Sequence, residues 1–159
     1  MNNSTLALVD RDLCRRFDIS GPRYTSYPTA DRFAANPGAQ LLVDALQERP
    51  ASDQPLSLYV HLPFCSTVCY YCGCNKVITK DHQKSSRYLD YLEREIDMQL
   101  QSLSGSRSVA QLHWGGGTPT FLSDDEMRRL MQILRSRFDF LPEGEYSIEI
   151  DPRSVDPQR

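Results

Sequence analysis

"LSLYVHLPFCSTVCYYCGCNK", residues 56–76, is the stretch on which the fold turns. Its first seven residues alternate, with Leu56, Leu58, Val60 and Leu62 in one phase and Ser57, Tyr59 and His61 in the other. That two-residue period is a strand. The strand runs into a loop that holds Cys65, Cys69, Cys72 and Cys74, four of the five cysteines in the chain. Downstream, "SSRYLDYLEREIDMQLQSL" sets Leu89, Leu92, Ile96, Leu100 and Leu103 on one helical stripe. "SVAQLHWGGG" (108–117) reads as a strand ending in glycines. "SDDEMRRLMQILRSRF" opens on a capping box, Ser123 with Glu126, and aligns Met127, Leu130, Met131, Leu134 and Phe138. "EYSIEIDP" (145–152) alternates again, Tyr146, Ile148 and Ile150 against Ser147, Glu149 and Asp151.

Strand, loop, helix, strand, helix, strand implies right-handed crossovers and a parallel sheet. A doubly wound sheet, covered on both faces, has strands that are apolar in both phases. Here Tyr59, His61 and Glu149 make one phase polar, which favours a barrel whose lumen holds a ligand rather than packed branched side chains. A closed eight-unit barrel takes about 250 residues, and only residues 55–159 are available. The expectation is therefore an α/β fold: a partial (β/α) TIM-like barrel, first half only, over residues 55–159, preceded by an N-terminal extension over 1–54. The chain is expected to be the front piece of a longer protein. In the extension, "DISGPRYTSYPTADRF" (18–33) is rich in turn formers and reads as extended or looped. A short helix follows with Leu41, Leu42, Ala45 and Leu46 on one face, stopping at Arg49-Pro50. Cys14, alone on an N-terminal helix, is expected to be an inert packed thiol.

Composition narrows the function classes. A net charge of −3 gives no basic field for nucleic acid. The N-terminus lacks a signal-peptide core, and no segment approaches the ~20 apolar residues of a membrane span. The chain reads as cytoplasmic, with no membrane partner, and reducing conditions there keep thiols free. An odd cysteine total also counts against a disulfide framework.

Structural zinc is the commonest use of clustered cysteines, yet it usually draws on two ligand pairs separated by a dozen or more residues. No second cluster exists, and His61, His82 and His113 are not paired. A dithiol redox pair would use Cys69 and Cys72 and leave Cys65 and Cys74 without purpose. Cubane iron sites are normally held by four thiolates. If three of these cysteines ligate, the fourth iron keeps open positions where a substrate or cofactor binds.

The C-x-x-x-C-x-x-C spacing after a first strand resembles the radical S-adenosylmethionine superfamily. "HWGGGTPT" (113–120) is similar to the glycine motif that receives the methionyl amino group in that superfamily, and "IEID" (148–151) to the segment that contacts the ribose. More narrowly, "SGPRYTSYPTA", "YVHLPFC", Cys74 in "CGCNK" and "HWGGGTPT" together resemble the oxygen-independent coproporphyrinogen III oxidases. The related haem chaperones share the three cysteines and the glycines. They typically carry an aromatic residue in place of Cys74 and lack the tyrosine-rich segment, so haem carriage is the alternative reading.

The resemblance implies a 4Fe-4S cluster and S-adenosyl-L-methionine as cofactors. A reducing electron donor of flavodoxin or ferredoxin type is implied as a partner, and coproporphyrinogen III as substrate. The reduced cluster would cleave the sulfonium to a 5′-deoxyadenosyl radical that takes hydrogen from a propionate β-carbon. Loss of CO₂ and one electron then leaves a vinyl group, twice over, giving protoporphyrinogen IX in haem biosynthesis. On this resemblance Cys65, Cys69 and Cys72 ligate the cluster. Tyr59, Tyr71, Gly116, Gly117, Thr118 and Glu149 contact S-adenosylmethionine, with Tyr71 on the adenine and Glu149 at the ribose hydroxyls. Arg23, Tyr24 and Cys74 are the substrate-side candidates, Arg23 because four carboxylates want a cation. No catalytic side chain is singled out, a monomer is favoured, and an isolated half barrel is expected to fold poorly and be inactive.

Overall fold

The computed structural model describes residues 10–18, 29, 32–33, 38–49, 54–70, 72–153 and 155. The chain divides into two units, Met1–Pro37 and Gly38–Arg159. In the first, helix α1 (Arg11–Phe17) is capped by Asp10, whose carboxylate accepts from the Asp12 and Leu13 amides at 2.9 and 3.1 Å. It buries no side chain. Cys14 is exposed there, not packed as expected, because seven residues of helix form no core of their own.

The second unit begins with α2 (Ala39–Gln47), followed by β1 (Leu56–Leu62), β2 (Phe64–Cys65), β3 (Val77–Ile78) and α3 (Gln83–Ser102). It continues through β4 (Ser108–Gly116), a 3₁₀ turn (Pro119–Phe121), α4 (Asp124–Arg135) and β5 (Asp139–Ile148). The main sheet has the order β1-β4-β5, parallel throughout. Two strand–helix crossovers thus lie where the sequence pattern put them.

The apolar phase of β1 and the stripes of α3 and α4 meet as expected. Val60, Leu62, Leu89, Leu112, Trp114, Leu122, Leu130 and Leu134 form the buried cluster. Leu89 is fully buried at its centre. Leu89→Ala is expected to cost about 3 kcal/mol, inside the usual range for an emptied leucine site, read as a lower urea midpoint.

The capping box forms as read: Ser123 Oγ accepts from the Glu126 amide at 3.2 Å, and the Ser123 amide donates to Glu126 Oε2 at 2.9 Å. Glu126 Oε1 also accepts from the buried Ser85 hydroxyl at 2.8 Å, tying α4 to the first turn of α3. Further along, Arg137 Nε donates to Asp97 Oδ1 at 2.6 Å and Nη2 to Glu93 Oε1 at 2.9 Å. Hydrogen bonding from Arg137 holds the Asp97 carboxyl below its usual value. A lowered native pKa adds stability that is present above the unfolded value, about 3.9. That stability is lost as pH falls through the lowered value. The melting-temperature gap between wild type and Arg137→Ala is accordingly expected to shrink below about pH 4.

Three expectations need correction. The third strand was read as 145–152, but β5 starts at Asp139 and ends at Ile148. Asp139 and Phe140 pair with Ser108 and Val109, and the register then shifts so that Gln111 meets Glu145. The intervening Leu141–Gly144 carries Pro142, which has no N–H for the ladder, and forms a bulge. Tyr146, Ile148 and Ile150 stay exposed, while the buried cluster draws on β1, β4, α3 and α4. In α2, Leu41 and Leu42 are exposed while Val43 and Leu46 turn inward. The helix stops just before Arg49-Pro50, as expected, and Ser104 ties its end down, its amide and hydroxyl both donating to the Leu46 carbonyl.

Candidate metal centre and nucleotide site

Both functional loops leave the carboxyl ends of parallel strands, the side where barrel sites form. β2 and β3 are too short to be visible as periodicity, yet they pair in parallel, Phe64 with Val77 and Cys65 with Ile78. The Val77 amide donates to the Pro63 carbonyl at 2.7 Å and the Thr79 amide to the Cys65 carbonyl at 2.9 Å. The thiol loop is thereby closed at its base.

The glycine segment packs directly on that base. The Gly117 amide donates to the Leu62 carbonyl at 2.9 Å and the Thr118 amide to the Phe64 carbonyl at 2.8 Å. A Cβ on Gly117 would lie 2.7 Å from the Pro63 carbonyl, so the missing side chain is what lets the two loops touch. Gly116 has φ +116°, a conformation that glycine adopts without strain. Thr118 Oγ1 lies 3.6 Å from the Cys65 sulfur.

On the open face of the sheet, the polar phases of three strands form one network. Tyr59 sits across from His113, which sits across from Ser147. The Tyr59 and His113 rings stack at 5.7 Å. His113 Nδ1 lies 2.8 Å from Ser147 Oγ and its Nε2 lies 3.4 Å from Glu149 Oε1. Glu149 Oε2 accepts from the Gly116 amide at 3.1 Å, bracing the carboxylate against the glycine turn. Tyr59 Oη and His61 Nδ1 are 3.2 Å apart, and His61 Nε2 reaches the Asn75 carbonyl at 2.9 Å. Desolvation raises the Tyr59 hydroxyl pKa, and the Glu149 and Cys74 charges add to it.

The thiols are all free. Cys65 is buried at the loop base, Cys72 is half-buried, and Cys69 and Cys74 are exposed. The Cys74 amide and the Lys76 ammonium hold the Cys72 thiol below its usual value. Desolvation and the neighbouring Cys72 raise that of Cys74. A cavity of about 550 Å³ beside Cys69 is lined by Gly117, Thr118, Glu149, Asp151 and Arg153. Arg153 Nε and Nη2 donate to the two Asp151 oxygens at 2.9 and 2.8 Å.

The donor set fits an iron–sulfur cluster: three soft thiols outside any disulfide on one loop, with the Thr118 hydroxyl, the Cys74 thiol and the cations of Lys76 and Arg153 near their sulfurs. Among the described residues no three metal-binding side chains converge. Cys65 faces Thr118, Cys72 faces Cys74 and Lys76, and Cys69 lies by Arg153. The structure does bring Tyr59, Cys74, Gly116 and Glu149 together. Arg23, Tyr24 and Tyr71 lie outside the described residues.

His113, Ser147 and the Asp151–Arg153 pair were missed in the sequence. His113 stands one strand across from Tyr59 in the same polar phase, a relation that becomes readable only once the strand order is known. Elsewhere, an apolar crevice of about 270 Å³ along β1 is lined by Leu46, Leu58, Ile96, Leu103 and Phe138, and holds no thiol. Among the described residues no helix is long and apolar enough to cross a membrane.

A parallel sheet with a cysteine loop after its first strand and a glycine turn after its second defines a class. Residues 59–159 match the family described as the Radical SAM superfamily. Oxygen-independent coproporphyrinogen III oxidase of Pseudomonas aeruginosa is 54% identical over 149 residues, which cover 92% of this chain and 32% of that protein. The protein of that name from Mannheimia haemolytica is 52% identical over 143 residues, covering 90% of this chain and 96% of the relative. Among solved structures, Escherichia coli coproporphyrinogen III oxidase, a radical SAM enzyme, superposes with a TM-score of 0.75 at 50% identity. That match covers 84% of this chain and 30% of the solved one. The chain belongs to the oxygen-independent coproporphyrinogen III oxidase family of the radical SAM superfamily. It spans about a third of the length of the Pseudomonas relative, and its three main strands are part of a (β/α) barrel wall. Membership implies a 4Fe-4S cluster and S-adenosylmethionine as cofactors.

Proposed function

We propose that this chain is the cluster- and nucleotide-binding portion of an enzyme that converts coproporphyrinogen III to protoporphyrinogen IX without oxygen, by oxidative decarboxylation of two propionates. The observation that carries the reading is the abutment of the thiol-loop base on the glycine turn, with Glu149 braced on Gly116 beside them. When bound, the cluster and S-adenosylmethionine supply the electron and the carbon radical that begin the reaction.

The protein's share is placement. Cys65, Cys69 and Cys72 hold the cluster. Glu149, fixed by the Gly116 amide and faced by His113, offers acceptors to ribose hydroxyls. Tyr59 gives an aromatic wall on the same face, Thr118 a hydroxyl at Cys65, and Tyr71 an aromatic beside Cys72. Cys74, near Tyr59 and Glu149, lines the site rather than ligating. Residues 1–54 form an extension on the substrate side, with Arg23 and Tyr24 meeting a propionate, and residues 55–159 form the barrel portion. The enzyme works in the cytoplasm as a monomer.

Anaerobic reconstitution of the protein that carries this sequence tests the reading. About four iron and four sulfide per chain are expected, with a change in the reduced cluster's electron paramagnetic resonance signal on adding S-adenosylmethionine. Conversion of coproporphyrinogen III should follow. Stoichiometric haem binding without that conversion would sink the oxidase in favour of a haem carrier, and zinc without sulfide would sink both.

A further inference from the structure

Helix α3 carries a second pattern on the side opposite its buried stripe. Lys84, Arg87, Tyr91, Arg94 and Met98 recur at spacings of three and four, which places them on one face. All five are exposed, Tyr91 at 50% and Met98 at 68%. The Tyr91 ring lies between two guanidinium groups, 5.6 Å from Arg87 and 5.9 Å from Arg94. Three of the four acids of α3 are engaged with arginines in or just after α4, Asp90 with Arg129 at 2.6 Å, Asp97 with Arg137 at 2.6 Å and Glu93 with Arg137 at 2.9 Å; the fourth, Glu95, accepts from Gln99 Nε2 at 3.2 Å. Among the described residues no carboxylate forms an ion pair with Lys84, Arg87 or Arg94. The outcome is a narrow cationic stripe around an exposed aromatic, on a chain whose net charge is −3.

This stripe is anchored at the thiol loop. The first turns of α3 pack on β2, with the Tyr88 ring edge-on to Phe64 at 5.5 Å and the Tyr88 hydroxyl donating to the His61 carbonyl at 2.7 Å. Phe64 immediately precedes Cys65. A helix with side chains is about 10–12 Å across, so a body seated on the outer face is one helix thickness from the loop base.

We propose that the outer stripe of α3, Lys84, Arg87, Tyr91, Arg94 and Met98, is the docking surface for an acidic one-electron donor protein. The proposal rests on the cluster reading above and names the partner surface for it. An acidic folded protein fits better than a polyanion, because an extended phosphate chain would run from the stripe onto the carboxylates of Asp90 and Asp97. Aromatic and arginine side chains around one ring are the composition of interface anchors. Rim cations of this kind raise association rates and make them fall with salt. The donor's flavin, as the anionic hydroquinone, would give up one electron and become the neutral semiquinone with no proton released. A cluster held by the thiol loop would take that electron, and no bond in the protein forms or breaks.

The test uses the anaerobically reconstituted protein, a strongly acidic flavodoxin in its hydroquinone form, and dithionite as a reductant that needs no docking. The variant combining Lys84→Glu, Arg87→Glu and Arg94→Glu is expected to be reduced by flavodoxin at least about 30-fold more slowly at low salt. Its dithionite reduction should equal wild type, and the wild-type flavodoxin rate should fall as salt rises. Should the triple variant not melt cooperatively, Tyr91→Ala and Lys84→Gln carry the test singly, each with a several-fold loss expected. An unchanged flavodoxin rate in variants that dithionite reduces normally overturns the docking surface and leaves the cluster reading standing. If dithionite finds no reducible cluster in wild type, the cluster reading fails and the docking proposal with it. Binding to anionic vesicles or self-association, lost in the triple variant while the flavodoxin rate stays unchanged, would also overturn it.

Discussion

Cys72→Ser is expected to lose most of the iron and sulfide of the reconstituted protein, and conversion of coproporphyrinogen III should fall by more than about 100-fold. Removing an outer partner of a metal ligand costs 10–100-fold, and removing a ligand should exceed that. Cys72 is the loop thiol whose surroundings most favour the thiolate, through the Cys74 amide and Lys76. Serine keeps the size and removes the soft donor. The same loss is expected for Cys65 and Cys69. Cys74→Ala is the contrast: its thiol is pushed up by desolvation and by Cys72, so the variant should keep its full iron and sulfide content. Iron retained in Cys72→Ser and lost in Cys74→Ala would exchange their roles.

Gly117→Ala carries the second large effect. The added carbon would stand 2.7 Å from the Pro63 carbonyl carbon and oxygen and 2.8 Å from the Phe64 oxygen. All three are backbone atoms and cannot rotate away. The glycine turn must then lift off the loop base, stretching the Gly117-to-Leu62 and Thr118-to-Phe64 hydrogen bonds. Overpacking of this kind costs about 1–3 kcal/mol, and each hydrogen bond about 1 more. A loss of roughly 4 kcal/mol in urea unfolding is expected, with cluster retention impaired even where folding survives. Gly38 is the control: its φ is +80° but nothing lies within 4 Å of the added carbon. Gly38→Ala should cost about 1–3 kcal/mol through backbone strain alone and leave cluster retention unchanged. Equal stability of Gly117→Ala and wild type would show that the two loops are not in the contact described.

The crossovers of this fold were readable because their periods are long and unmixed. Leu89, Leu92 and Ile96 repeat every helical turn, and Leu58, Val60 and Leu62 every second residue. Ser123 with Glu126 marked where α4 starts to the residue. The β5 boundaries were not readable, since Pro142 and Gly144 read as a turn before a strand when they lie inside one. The pairing of Phe64 and Cys65 with Val77 and Ile78 was hidden by its length, two residues on each side. In the site, the thiols and glycines stood out by type and spacing. His113 did not, because its partners lie on other strands, Tyr59 on β1 and Ser147 and Glu149 at the end of β5, and are neighbours only in register. The packing of Cys14 was misjudged because a sequence shows a helix but not whether anything covers it.

The short β2–β3 ladder has a bearing on how this protein matures. Zinc fingers order themselves around their ion and are unfolded without it. Here residues 66–76 are a loop tethered at both ends by backbone hydrogen bonds that involve no sulfur. The scaffold can therefore be complete on the ribosome's schedule, and inorganic cargo can be inserted afterwards into a door hung on a finished frame. Amide exchange in the unloaded protein should register this as slow Val77 and Thr79 beside fast Ser66, Thr67 and Val68.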